Sequence, residues 1–95
     1  MDLSEWRKKI DAIDRELVRL LNERAHCVAE IGKIKRQGGL PIEASGREEK
    51  VFANVVSANQ GPLDDDELRR VFERIVEEGK GLQRRLNESH VAEKK

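Results

Sequence analysis

Arg24 and Lys35 stand 11 residues apart in "LNERAHCVAEIGKIK", in line with the apolar residues Val28 and Ile31. On an α-helix that separation is about 1100°, or roughly 20° after whole turns, and about 16 Å along the axis. Two long cationic side chains on one face at that spacing could converge on one small molecule between them. The plainer alternative is that each is a solvated cation whose stem snorkels over its apolar neighbours. Arg7 lies 17 residues before Arg24, so about 25 Å away and roughly 100° around the same helix. It cannot serve the same site within its own chain, although in an antiparallel dimer it could reach into the partner's. Further on, "SGREEKVF" offers Arg47 and Glu48, and "GLQ" offers Gln83. These too have plainer readings. Ser45 and Glu48 form S-x-x-E, a helix-capping pattern. Arg47 is then a surface cation, and Gln83 an exposed amide near the periodic positions Leu82 and Leu86.

The elements that carry these residues read as helices. Leu3, Trp6, Ile10, Ile13, Leu17, Leu20, Leu21, Val28, Ile31 and Ile34 recur at alternating spacings of three and four. Asp2 or Ser4 can cap the start, Asp2 with Glu5 fitting a capping box, and Gly38-Gly39 followed by Pro41 ends the run. The pattern predicts a first helix over about 4–36, roughly 50 Å long at 1.5 Å per residue. A compact globule of this size has a radius of gyration of only about 12 Å. The helix therefore overhangs any such globule, and its apolar stripe runs almost to its end. A second copy of the chain, in an intertwined homodimer, would cover it. A second helix is predicted over about 45–59, with Val51, Phe52, Val55 and Val56. "NQGPLDDDE" is a turn, and Asp64 with Glu67 caps a third helix carrying Leu68, Val71, Phe72, Ile75, Val76, Leu82 and Leu86. Gly79 and Gly81 fall inside it, where they either fray the helix or make room for a neighbour. The tail from about residue 88 to 95 is polar and is expected to fray. The expected fold is all-α: one domain over 1–95, a three-helix protomer with a long N-terminal helix, in a homodimeric helical bundle.

The totals agree with burial in a partner. Of 95 residues, 40% are charged, 37% apolar and 3% aromatic, which leaves little for a self-contained core. Nineteen basic residues balance nineteen acidic ones. The broad basic field of a nucleic-acid binder is absent, and any anion site must be a local cluster. A single cysteine, Cys27, excludes an intrachain disulfide and a cysteine-based metal cage. His26, Cys27 and His90 show no ligand spacing, and Trp6 reads as a packing residue near the helix start. No apolar run is long enough for a membrane, and "MDLSEWRKK" has no signal-peptide core. The expectation is a soluble cytoplasmic protein that binds neither nucleic acid nor membrane.

Taken together, "WRKKIDAIDRELVRLLNERAHCVAEIGKIK", then "REE", then "GLQ", resembles the all-α class of chorismate mutases over about residues 5–85. The resemblance implies an intertwined homodimer of three-helix protomers. It implies the Claisen rearrangement of chorismate to prephenate, an intramolecular reaction of a dicarboxylate that needs no cofactor or metal. It implies that Arg24 clamps a substrate carboxylate in its own protomer and that Arg7 clamps one from the other protomer. Lys35 contacts a carboxylate and the ether oxygen, and Gln83 is the second donor to that oxygen. Glu48 accepts from the ring hydroxyl, and Arg47 lines the site and helps hold the carboxylates. Some family members carry glutamate where this chain has Gln83. Two positions depart from the pattern: Ala44 stands where many members have aspartate, and Gly79 where some have serine. The ring-hydroxyl contact then rests on Glu48 or on backbone groups of the loop "GGLPIEASG", where Glu43 is adjacent to Ala44 but free to point away. Two rival readings keep the same fold: an isochorismate pyruvate lyase with a similar cationic pocket, and a catalytically silent helical dimer that regulates a partner enzyme.

Overall fold

A computed structural model describes residues 1–43 and 46–93. Its elements are three helices: α1 (Leu3–Gln37), α2 (Arg47–Ala58) and α3 (Asp65–Glu93). Among the described residues there is no strand. The Asp2 side chain caps α1 by accepting from the Glu5 N–H at 2.9 Å. At the other end Gly38 takes the C-cap, Gly39 turns left-handed at φ 67°, and Leu40 N–H returns to the Lys35 carbonyl at 2.7 Å.

The second helix starts later than the S-x-x-E pattern predicts. Gly46, with φ 81°, is the N-cap of α2 and makes no side-chain cap, and the Glu48 carboxylate pairs with Lys80 on α3. Ala44 and Ser45 lie outside the described residues. The α2–α3 turn is pinned by Asn59. Its side-chain carbonyl accepts from Gly61 N–H, and its amide donates to Leu63 O and Asp65 Oδ1. A full capping box then opens α3: Glu67 N–H donates to Asp64 Oδ1 at 2.7 Å, and Asp64 N–H to Glu67 Oε1 at 3.0 Å.

The helix α3 passes through both glycines without a break and continues past residue 88, where the tail was expected to fray, to Glu93. No glycine or proline stands between Asn87 and Glu93 to stop it. The C-terminal part of α1 runs alongside α3 in parallel, with Arg24 near Gly79, Gly32 against Gln83 and Arg36 bonded to Asn87. The N-terminal part of α3 pairs instead with α2. There Phe52 is the one buried apolar side chain among the described residues, 8% exposed, with the Arg69 guanidinium 4.5 Å above its ring.

The first half of α1 is exposed along its whole length. Leu3 is 65% exposed, Ile10 54% and Leu17 50%, and Trp6, expected to pack, is half-exposed as well. The chain is 58 Å long with a radius of gyration of 16.9 Å. A compact chain of its size would have about 12 Å. An apolar stripe of this length left in water is the arrangement that association relieves.

Candidate active site

Three stripes of side chains meet in a cleft of about 290 Å³ between α1, α3 and the start of α2. From α1 come Arg24, Val28, Ile31 and Lys35, all on the face predicted by their spacing. From α3 come Val76, Gly79, Lys80 and Gln83, again one helical face. The start of α2 gives Arg47, Glu48 and Val51, and the preceding loop gives Ile42 and Glu43. The lining interleaves apolar side chains, Val28, Ile31, Ile42, Val51 and Val76, with the charged ones. Apolar surroundings strengthen the interactions of the charges beside them.

Gln83 is the most enclosed polar group, 6% exposed, and not the surface amide that base expectation favours. Its Nε2 donates to the Val28 carbonyl across the helix pair at 3.0 Å. The close approach depends on Gly32: a Cβ there would sit 3.3 Å from Gln83 Cγ. One amide hydrogen is committed to Val28 and the other is left for a ligand.

Lys35 is anchored in a similar way. Its Nζ donates to the Ile42 carbonyl at 2.6 Å, which ties α1 to the loop after it and uses one of three ammonium hydrogens. Arg24 passes beside Gly79, where a Cβ would lie 3.6 Å from the guanidinium Nη1 and 3.7 Å from Val28. Gly79 therefore neither frays α3 nor is needed to make room, and Gly81 faces open space. The 3.6 Å separation is an ordinary contact, and a serine at 79 would fit there beside Arg24.

Glu48 faces α3 from the start of α2. Its carboxylate pairs with Lys80, and Lys80 Nζ also lies 3.4 Å from Glu43 Oε1. Glu43 therefore points toward α3, with Arg84 at 3.8 Å as a second cation. The carboxylate of Glu48 beside the Lys80 ammonium raises the lysine pKa above its ordinary value. Lys80 thus stays cationic throughout the neutral range. Its place in the cleft was missed from the sequence, although its spacing of three residues from Gln83 puts both on one face of α3.

Arg24, Lys35, Arg47, Glu48 and Gln83 are thus brought together, and Arg7 is not. Arg7 is exposed on the first half of α1, about 25 Å along the helix from Arg24. Four cations and two carboxylates line the cleft, leaving it positive by two charges. That balance suits a small dianion, held by arginine forks and lysine. Among the described residues, no group of three or more His, Cys, Asp or Glu could hold a metal ion, and no helix is long and apolar enough to cross a membrane. His26 and Cys27 are exposed. The side chain of His90 lies outside the described residues.

Comparison with known proteins gives a consistent picture. The family model for chorismate mutase type II matches residues 6–84. A chorismate mutase from Methanocaldococcus jannaschii is 32% identical, over 90% of this chain and 88% of its own. A bifunctional chorismate mutase/prephenate dehydratase from Aquifex aeolicus is 33% identical over 98% of this chain, which spans 27% of that relative's length. The solved structure of chorismate mutase (Form II) from Thermus thermophilus superposes with a TM-score of 0.84 at 36% identity, covering 87% of this chain and 94% of that one. The matched segment holds the whole cleft, from Arg24 to Gln83, and on that footing the chain belongs to the chorismate mutase type II family.

Proposed function

We propose that the chain converts chorismate to prephenate, in a homodimer whose two clefts each receive Arg7 from the partner. The observation that carries this reading is the meeting of Arg24, Lys35, Arg47 and Gln83 in one cleft, among apolar side chains. The rearrangement is intramolecular, so the protein must fold the substrate's side chain over its ring and hold it there. Two carboxylates give the handles. Arg24 takes one, the partner's copy of the Arg7 side chain takes the other, and Arg47 closes the rim. Breaking the C–O bond places negative charge on the ether oxygen. Donors already fixed in place favour that state over the ground state. Lys35 and Gln83 are such donors, each held by a backbone carbonyl that leaves further hydrogens free. Glu48 accepts from the ring hydroxyl.

The homodimer is supported by the bare apolar stripe of α1, which also carries Arg7. The reading concerns the mutase step alone, because the bifunctional relatives are several times longer than this chain. Its test is the loss of chorismate and appearance of prephenate with purified protein. Turnover of chorismate supports it. Turnover of isochorismate alone makes the chain a lyase, and binding of a dicarboxylate transition-state mimic without turnover makes it a silent module.

A further inference from the structure

Lys80 has no part in the mechanism above, yet it sits inside the same cleft. Its side chain is 19% exposed, against 43% for Glu48 and 69% for Glu43, so it is the enclosed centre of a three-charge group. It also joins three elements, since Glu48 opens α2, Glu43 belongs to the loop and Lys80 is on α3. A carboxylate in a cleft for a dianion is an electrostatic liability. Unpaired, Glu48 would repel both carboxylates of the ligand it must help to hold. Paired, it keeps oxygen lone pairs for a hydroxyl while its charge is offset.

We propose that Lys80 is a positioning and charge-neutralising residue of the cleft, one that aims Glu48 and cancels its repulsion of the substrate's carboxylates. This rests on the mutase reading. Lys80 acts through Glu48 and not on the reacting atoms. Its contact with Glu43 is the weaker arm, because Glu43 is mostly in water.

Steady-state chorismate kinetics on the purified chain test the claim, with wild type, Lys80→Met, Lys80→Arg and the double variant Lys80→Met/Glu48→Gln. Lys80→Met should raise KM roughly fivefold, with kcat changed less, and the increase should shrink as added salt screens the exposed charge. Lys80→Arg should stay within about twofold of wild type, since it keeps the cation. The double variant should recover a KM below that of Lys80→Met, because glutamine has no charge to repel the ligand and its amide oxygen still accepts. A brace that served stability alone would lower the melting temperature without producing this rescue or this salt response. If Lys80→Met fails to fold, Lys80→Gln carries the same test with a polar head. An unchanged KM in the folded variant, or a double variant no better than the single one, overturns the proposal while wild-type turnover leaves the mutase reading intact. A wild-type protein that converts no chorismate overturns both.

Discussion

At the scale of the residue, the chemistry rests in part on Gln83, a donor with no titratable group. Gln83 is an amide and donates at any working pH, whereas a glutamate in its place donates only when protonated. The wild-type kcat should therefore show no steep rise toward pH 5, and Gln83→Glu should create one. A steep acid rise in wild type would contradict the role given to Gln83. Lys35→Ala should lower kcat by roughly 10² to 10³ with a smaller change in KM, the mark of a contact made in the transition state. Near-normal kcat in that variant would remove Lys35 from the mechanism. Much of this cleft was legible in the sequence. Arg24 and Lys35 share an azimuth, and Arg47, Glu48 and Gln83 follow in a set order. What was not legible is Lys80 and the turn of Glu43. Their partners lie 32 and 37 residues away, so their pairing exists only once α2, the loop and α3 have docked.

At the scale of the element, glycines decide how closely the helices approach. A methyl at Gly32 would meet Gln83 Cγ at 3.3 Å, tighter than ordinary contact, so the Gln83 side chain must yield. Gly32→Ala should then shift the amide from its bond to Val28 and reduce kcat about tenfold, with α1 intact by circular dichroism. Unchanged kinetics would mean that Gln83 has slack to spare. Gly79 is the contrasting case, since the space above it accepts a Cβ at ordinary contact. The helices themselves were legible because caps and periodicity agree. Asp2 and the Asp64–Glu67 box open α1 and α3 where the pattern placed them. The start of α2 was not, because a left-handed Gly46 competes with the S-x-x-E pattern and Glu48 finds a cation on α3.

At the scale of the whole molecule, the protomer is too thin to be complete. Phe52 alone among the described apolar residues is buried, while α1 extends its stripe into solvent beside Arg7. The overhang was legible from length alone, as a helix about four times the expected radius of gyration. In solution the mass should be twice the chain's 10.9 kDa. Ile13→Glu, which puts a charge in the middle of the stripe, should halve that mass or unfold the chain, as seen by sedimentation and helical content. A stable, helical monomer with full activity would show that the stripe needs no partner. The composite cleft has a more direct test. Arg7→Ala and Arg24→Ala chains, each inactive alone, are mixed and allowed to exchange subunits. If each cleft joins Arg24 of one protomer to Arg7 of the other, half of the dimers are mixed and each holds one intact cleft, so about a quarter of wild-type chorismate turnover should return. No recovery, with exchange verified by mass, would contradict a site shared between two chains.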